Sequence, residues 1–540
     1  MFVGNKNLIN LSSSRFANFI KNGYLYIDKT AFIEHIMQDP SEVLLFARPR
    51  RMGKSLNMDT LATFLDCTQN TTQLFKGLYI EHSAAFCHAN KYPVIYLDFA
   101  NLDAANLETL QKSFRGRILN LIQKLLDIQN LSLSLKEYAN DPKDYSPSVL
   151  GLLIEAVFER YAQEPFLIID EYDKVIIDTL NDPKGNEIKS FIVTALQSAL
   201  KGRTHFKKSV LTGVTRTTKE NLFSGLNNVV AYDIFTPSVY DSDFSLTEEE
   251  LVELVPENEI TGVREWYNNM RVGGVFLYNI YSVMNYLNNP KAGLKAYWAR
   301  TGSEILLSKL MNDQRAETIT CMMENRSFEY EAILDCQLNM EHLKDNAHCT
   351  DTSFYTLATQ AGYLSFNPTE SNISNIFIPN KEAKSVWARL VLDFQYKGAD
   401  MRLIDIFKKI NETDLFSQQL TEFTSMVLSY NDFKSQDEWV YHVFFLGLVY
   451  SLGYECKSNL EAGLGRFDIF LKTRKFNAII EFKVAKSPSD NALAKEADKA
   501  LKQIADKEYW HISKNSTIPL YKIGIACHGK KCLVKTVLHV

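Results

Sequence analysis

Residues 43–58 read VLLFARPRRMGKSLNM. The stretch opens on a fully apolar run, Val43–Phe46, of the kind that forms a buried strand. A basic loop follows, then Gly53-Lys54-Ser55. Beyond it lies a segment whose apolar residues, Leu56, Leu61, Phe64 and Leu65, recur at helical spacing. A strand that turns into a helix through Gly-Lys-Ser aims backbone N–H groups at an anion. In that layout Gly53 lets the backbone approach closely, Lys54 reaches the β- and γ-phosphates, and Ser55 holds Mg²⁺. One departure stands out: Arg48 occupies the position where such a loop usually opens on Gly. The candidate cradle is therefore Arg48, Pro49, Arg50, Arg51, Met52, Gly53, Lys54 and Ser55.

Working outward, further apolar runs occur at Val94–Leu97, Phe166–Ile169, Val210–Leu211 and Val229–Phe235, with helix-like stretches such as Leu107–Gln129 and Asn186–Leu200 between them. Buried β runs alternating with helices predict an α/β fold with a mostly parallel sheet. The third run ends in Asp170-Glu171-Tyr172-Asp173. A carboxylate at the end of a buried strand, Asp170, can coordinate Mg²⁺ directly or through water, and Glu171 can polarise an attacking water. The blander alternative is an ion pair between Lys54 and Asp170 in a dead site. The fourth run continues into Thr212-Gly213-Val214-Thr215-Arg216. Thr212 can sense a γ-phosphate and Arg216 can stabilise its charge; a solvated arginine at a strand end is the equal alternative.

Length and composition set bounds. With 540 residues, 46% hydrophobic and 23% charged, the chain is globular and divides into several domains. Disorder, a collagen and a disulfide-stapled miniprotein are excluded. The net charge of −5 gives no chain-wide field for nucleic acid. Residues 431–540, however, hold 17 Lys and Arg against 12 Asp and Glu, so affinity for nucleic acid is placed at that end. The eight cysteines form no Cys-x-x-Cys pair and no zinc-finger spacing, and Cys527, His528 and Cys532 do not complete a zinc site. Scattered thiols of this kind suggest a reducing compartment. No apolar leader follows a basic start, and Val440–Tyr454 is too short for a membrane span and contains His442, read as a packed core histidine. The expectation is a soluble, cytoplasmic protein without membrane partners.

The expected divisions are 1–245, the α/β region; 246–395, mainly helical, with a helix and β-hairpin near 354–377 that suggest a small winged-helix-like element; 396–430, a connector; and 431–540, a second α/β pattern.

That last region reads GLGRFDIFLKTRKFNAIIEFKV over 463–484. Phe467, Ile469 and Leu471 alternate with Arg466, Asp468 and Phe470, and Ile480, Phe482 and Val484 alternate with Ile479, Glu481 and Lys483, the period of half-buried strands. A hairpin centred between Arg474 and Lys475 sets Asp468 opposite Glu481, with Lys483 on the face of Glu481. Two apposed carboxylates repel, and a divalent cation resolves the repulsion. Asp468 and Glu481 as ligands of Mg²⁺, with Mn²⁺ an acceptable substitute, and Lys483 acting on a water or a phosphate, form a constellation for phosphodiester hydrolysis. The alternative is a strand face on which Lys483 pairs with both acids.

The N-terminal motifs resemble the AAA-ATPase-like family of bacterial proteins, itself similar to archaeal and STAND-type P-loop ATPases. The matching pieces are YLYIDKT (24–30), LFARPRRMGKSLNM (45–58), LIIDEYDKVI (167–176), LTGVTR (211–216), LFSGLNNV (222–229), YNIYSV (278–283), YWARTGS (297–303) and AGYLSF…IFIPNKE (361–382). The resemblance implies ATP with Mg²⁺ as the ligand and makes Arg48 a feature of the family's loop. Asp28 and Lys29 also match; they are read as satisfied polar residues near the nucleotide. The pattern Asp-x₁₂-Glu-x-Lys within G-x-G-R-x-D…I-I-E-F-K resembles the PD-(D/E)xK nuclease superfamily. That resemblance implies a restriction-endonuclease-like α/β domain, adds Glu438 as a third metal-shell group or a solvated helix residue, and makes Gln503 a residue that orients the lysine or the phosphate.

The combined expectation is an ATP-binding, hydrolysing protein that cleaves nucleic acid, DNA before RNA, under nucleotide control. Assembly into a homo-oligomer is left open. The competing class is a nucleotide-switched module that binds nucleic acid or protein without cutting it.

Overall fold

The computed structural model describes residues 2–127, 131–180, 182–201, 205–217, 228–298, 302–324, 330–335, 337–370, 372–395, 403, 405–427, 441–442, 445, 449, 455–458, 461–462, 465–473, 475–513, 516–529 and 531–539. They fall into two compact units. Unit 1 comprises Met1–Thr261, Asn268–Asn288 and Ala332–Ser374; unit 2 comprises Gly262–Tyr267, Asn289–Glu331 and Asn375–Val540. The middle of the chain, which the sequence reading sets apart, is thus shared between them.

Unit 1 is built on a five-stranded sheet: β1 (Val43–Ala47), β2 (Val94–Asp98), β3 (Phe166–Asp170), β4 (Lys208–Gly213) and β5 (Val229–Tyr232). The spatial order is β2-β3-β4-β1-β5, and each neighbouring pair is parallel. Every residue of β1, β3 and β4 is buried, which is why these strands read as unbroken apolar runs. The register sets Phe46 beside Thr212, Ala47 beside Gly213 and Asp98 beside Asp170, so the motif-bearing strand ends share one edge of the sheet. In open parallel sheets that carboxyl edge is where ligands bind. Helix α1 (Lys54–Leu65) leaves the edge directly from Gly53. In the stretch after Thr247, read as mainly helical, a short antiparallel pair intervenes, β6 (Met270–Val272) with β7 (Val275–Leu277). The helix-then-strands expectation near 354–377 is met in order by α2 (Asp351–Gln360), β8 (Ser365–Glu370) and β9 (Ile373–Phe377).

Unit 2 carries a second five-stranded sheet: β10 (Glu455–Ser458), β11 (Ile469–Lys472), β12 (Asn477–Val484), β13 (Leu520–His528) and β14 (Lys531–Leu538), in that spatial order. All pairs are antiparallel except β12 with β13. A parallel pair needs a crossover, supplied by α4 (Asp490–Asp506), capped by Ser489 and burying Leu493, Ala497, Ala500 and Ile504. The helix lies so close to β13 that a Cβ on Gly524 would meet Ala497 O at 2.5 Å. The stretch expected as a connector contains helix α3 (Thr413–Val427), which packs on β14; Thr421 Oγ1 accepts from Val534 N at 3.0 Å. The thiol expectation is corrected at one pair: Cys527 and Cys532 are direct partners across β13 and β14, with Cα atoms 4.3 Å apart, and are joined as a disulfide. Hairpin register, invisible as a Cys motif, brings them together. No helix among the described residues is long and apolar enough to cross a membrane.

Candidate functional site

Unit 1 gathers its polar groups where β1 gives way to α1. Gly53 takes φ +82°, a left-handed conformation that L side chains rarely adopt, and nothing lies within 4 Å of the Cβ it lacks. Backbone freedom, and not space, explains this glycine. Lys54 is buried and folds back over the loop: its Nζ donates to Arg48 O at 3.2 Å and Pro49 O at 3.1 Å and lies 3.6 Å from Glu171 Oε1. The ion pair expected by the blander reading therefore runs to Glu171. Asp170 is 1% exposed. Burial pushes its carboxyl up, opposed by hydrogen bonds from Ser55 and Thr212 and by the charge of Lys54. The Asp170 Oδ1 atom also accepts the Glu171 N–H at 3.0 Å, and Tyr96 on β2 hydrogen-bonds the same carboxyl. Ser55, Asp170, Thr212, Lys54 and Glu171 are thus brought together as the sequence pattern requires.

The arginines of the loop diverge. Arg48 turns its guanidinium inward, fully buried, onto Ala47 O at 3.1 Å, Tyr232 O at 2.7 Å and the ring of Phe244 at 5.3 Å. Burial lowers its pKa to about 10, against the pull of Asp241, Asp233 and Asp243. Its carbonyl oxygen meets Lys54 Nζ, while its guanidinium is taken up by Ala47 O and Tyr232 O. Pro49 and Met52 are buried, Arg50 is half-buried, and Arg51 is exposed over the ring of Tyr281 at 4.3 Å. Arg216 pairs with Asp233, which is buried. Lys29 pairs with Glu250 at 2.7 Å, and Asp28 accepts from Thr30 N at 2.9 Å and Tyr79 N at 2.7 Å, so both are satisfied polar residues.

Sequence reasoning passed over Asp173. It is fully buried and accepts from Val214 N at 3.0 Å, Thr215 N at 2.8 Å and Thr215 Oγ1 at 2.7 Å. Tyr172 Oη donates to Thr215 O at 2.6 Å. No sequence pattern points to it, because its donors Val214 and Thr215 lie about forty residues along the chain.

In unit 2 the ladder of β11 and β12 pairs Ile469 with Ile480, Phe470 with Ile479, Leu471 with Ala478 and Lys472 with Asn477. Continued by one residue, this register sets Asp468 opposite Glu481. Asp468 Oδ2 accepts the Phe482 N–H at 2.8 Å, and Asp468 O accepts from His442 Nε2 at 3.0 Å. His442 is buried, with its pKa pulled down to about 4 by burial, which fits the core histidine of the sequence reading. Glu481 is 1% exposed; its Oε1 takes the Gln503 Nε2 donor and lies 3.3 Å from Lys483 Nζ. Lys483 Nζ also donates to Phe482 O at 2.8 Å. Gln503 therefore orients the glutamate, where the sequence reading assigned it to the lysine or a phosphate. Gln503 Nε2 is 3.4 Å from Tyr509 Oη, which donates to Arg466 O at 2.7 Å, so helix and strand end are tied through one amide. Glu438 lies outside the described residues.

The donor sets at both sites are carboxylate and hydroxyl oxygens, suited to small hard cations and not to zinc. Among the described residues no group of three or more His, Cys, Asp or Glu side chains is placed to hold a metal. Any cation at Asp468 and Glu481 would keep several waters, as Mg²⁺ does.

Comparison with known proteins divides the chain in the same order as the two sites. Residues 11–223 match the family model described as a predicted AAA-ATPase, and residues 436–537 match the model of the PD-(D/E)XK nuclease superfamily. Both are enzyme families. A protein of Azotobacter chroococcum mcd 1, described as an uncharacterized protein in the vnfD 5' region, is 26% identical over 523 residues, 93% of this chain and 92% of that protein.

Proposed function

We propose that a chain with an AAA-ATPase-type region ahead of a PD-(D/E)XK-type region is a nuclease under nucleotide control. Unit 1 binds ATP with Mg²⁺ and hydrolyses it; unit 2 cleaves nucleic acid, DNA before RNA, in the cytoplasm. The observation that carries the reading is the ladder register from Ile469–Ile480 to Lys472–Asn477, which continued by one residue sets Asp468 opposite Glu481, with Lys483 two residues along the same strand. Opposed carboxylates are costly without a cation between them.

At this site Asp468 and Glu481 would hold the cation, which supplies charge neutralisation and a water of lowered pKa. The chain's own groups do the rest. Phe482 N–H fixes the Asp468 carboxylate, Gln503 fixes that of Glu481, and Lys483 places a cation beside them for a phosphate oxygen. In unit 1, Gly53 and the start of α1 offer N–H groups to phosphates, with Lys54 beside them. Ser55 and Asp170 would hold Mg²⁺, and Glu171 orients the attacking water.

The test is a cleavage assay on supercoiled plasmid and single-stranded DNA with Mg²⁺ or Mn²⁺, with and without ATP, for the wild type, Lys54→Ala and Glu481→Ala. The reading expects cleavage abolished in Glu481→Ala and altered in Lys54→Ala. Cleavage by Glu481→Ala at the wild-type rate would sink the nuclease assignment. Cleavage indifferent to Lys54 would remove the nucleotide control, and ATP binding without any cleavage would leave a switch-like binding protein.

A further inference from the structure

Arg216 is attached at three points, and its side chain accounts for only one of them. Its guanidinium pairs with Asp233, just past the end of β5. Its N–H donates to Gln360 Oε1 at 3.1 Å, and its carbonyl accepts from Leu338 N at 2.7 Å. Thr217 continues with a parallel bridge to Leu338. Gln360 is the last residue of α2 and is 1% exposed. The same loop is gripped on its other side by Asp173 and Tyr172, next to Asp170. It is pressed so tightly there that a Cβ on Gly213 would lie 2.5 Å from the Tyr172 ring and 2.6 Å from Asp173 Oδ1. Four residues upstream of Arg216, Thr212 bonds Asp170 itself.

Loop 212–217 therefore has little freedom to deform between its two grips. A shift at Thr212 or Asp170 has to reappear at Arg216, and there the main chain is bonded to α2 and to the segment before it. We propose that Gln360 is a positioning residue for Arg216, and that the pair transmits the state of the phosphate site to α2. The inference rests on the nucleotide reading above and adds its internal output. In this arrangement Arg216 is the group that responds to the γ-phosphate, and Asp233 holds it when that phosphate is gone. The Gln360 amide sets the height of the Arg216 main chain, and so the reach of its guanidinium. A coupling claim requires an element that both ends bias; here it is the 212–217 loop, bonded at one end by the strand bearing Asp170 and at the other by Gln360.

The test uses the full chain. Gln360→Met keeps the length and removes the acceptor; Gln360→Glu keeps an acceptor. Binding of a fluorescent ATP analogue is measured beside steady-state hydrolysis, and hydrogen exchange over 351–360 is compared in the wild type with ATPγS and with ADP. The expected result is different protection of 351–360 in the two nucleotide states. Gln360→Met should lose roughly ten- to hundredfold in kcat, with analogue affinity and KM within about twofold, since uniform binding is untouched. Gln360→Glu should restore most of that loss. Equal protection in the two states, in wild type that binds both nucleotides, overturns the proposal whatever the variants do. So does Gln360→Met turning over like wild type. Wild type that binds neither nucleotide overturns the underlying reading, and this inference with it, and is told apart by the binding measurement alone.

Discussion

The backbone N–H of Phe482 donates to Asp468 Oδ2 at 2.8 Å, so the strand that presents Glu481 also fixes the carboxylate facing it. Asp468→Asn keeps an acceptor for that N–H and removes the charge. It should unfold at the wild-type temperature and lose Mn²⁺ binding by calorimetry. Asp468→Leu removes the acceptor as well and should cost about 1–3 kcal/mol besides. Equal melting temperatures for the two variants would mean that the N–H finds water.

Glu481 is nearly fully buried, and Gln503 donates to it. Loss of a hydrogen bond to a buried charge is worth about 1.5–3 kcal/mol. Gln503→Leu should destabilise unit 2 by about 2 kcal/mol in urea unfolding, although Gln503 lies on a helix far along the chain from the carboxylates. Gln503→Glu should be worse at neutral pH and recover as the pH falls, because one of two like charges then takes a proton. A Gln503→Leu transition that overlays wild type would show that the amide is dispensable.

Gly53 sits at φ +82° with open space where a Cβ would go. An alanine there meets no clash, only the left-handed penalty of about 1–2 kcal/mol. Gly53→Ala should weaken the ATP analogue by roughly tenfold, and Gly53→Asn by less, because Asn tolerates this conformation better. Fluorescence titration measures both. If Ala and Asn weaken binding equally, something other than backbone strain is at work.

His35 Nδ1 lies 2.8 Å from Asp243 Oδ2, and that bond raises the imidazole pKa above its usual 6.5. A raised histidine stabilises the fold fully below the unfolded pKa, and the gain is lost as pH rises through the folded value. The wild type should therefore lose unit 1 stability as the pH rises from about 6.5 through the raised folded value, and His35→Gln should show no such slope. Thermal unfolding of both proteins across that range checks it; parallel profiles would refute the pairing.

Some of this was legible in the sequence because it depends on short-range pattern. Strands β1, β3 and β4 are buried throughout, so Val43–Ala47 and Phe166–Asp170 stand out as apolar runs. The Asp468–Glu481 opposition follows from alternation plus a symmetric turn, and the ladder obeys that arithmetic. The inward turn of Arg48 was not legible, since its partners Tyr232 and Phe244 arrive from far along the chain. Nor was Asp173, whose donors lie about forty residues away on the next strand. The pairing of Cys527 with Cys532 needed the register of β13 and β14, and the choice of Gln503 for Glu481 over Lys483 needed the docking of α4.

Unit 1 takes its residues from three separate segments, the last ending at Ser374, and unit 2 fills the gaps between them. On the ribosome, then, the first unit cannot close when its own sheet emerges; it waits for Gln360 and Leu338, more than a hundred residues later. No single stop codon or protease cut frees either unit whole. Evolution can lose or exchange these two units only with difficulty, since a recombination point anywhere between Thr261 and Ser374 cuts into the interleaved segments of both.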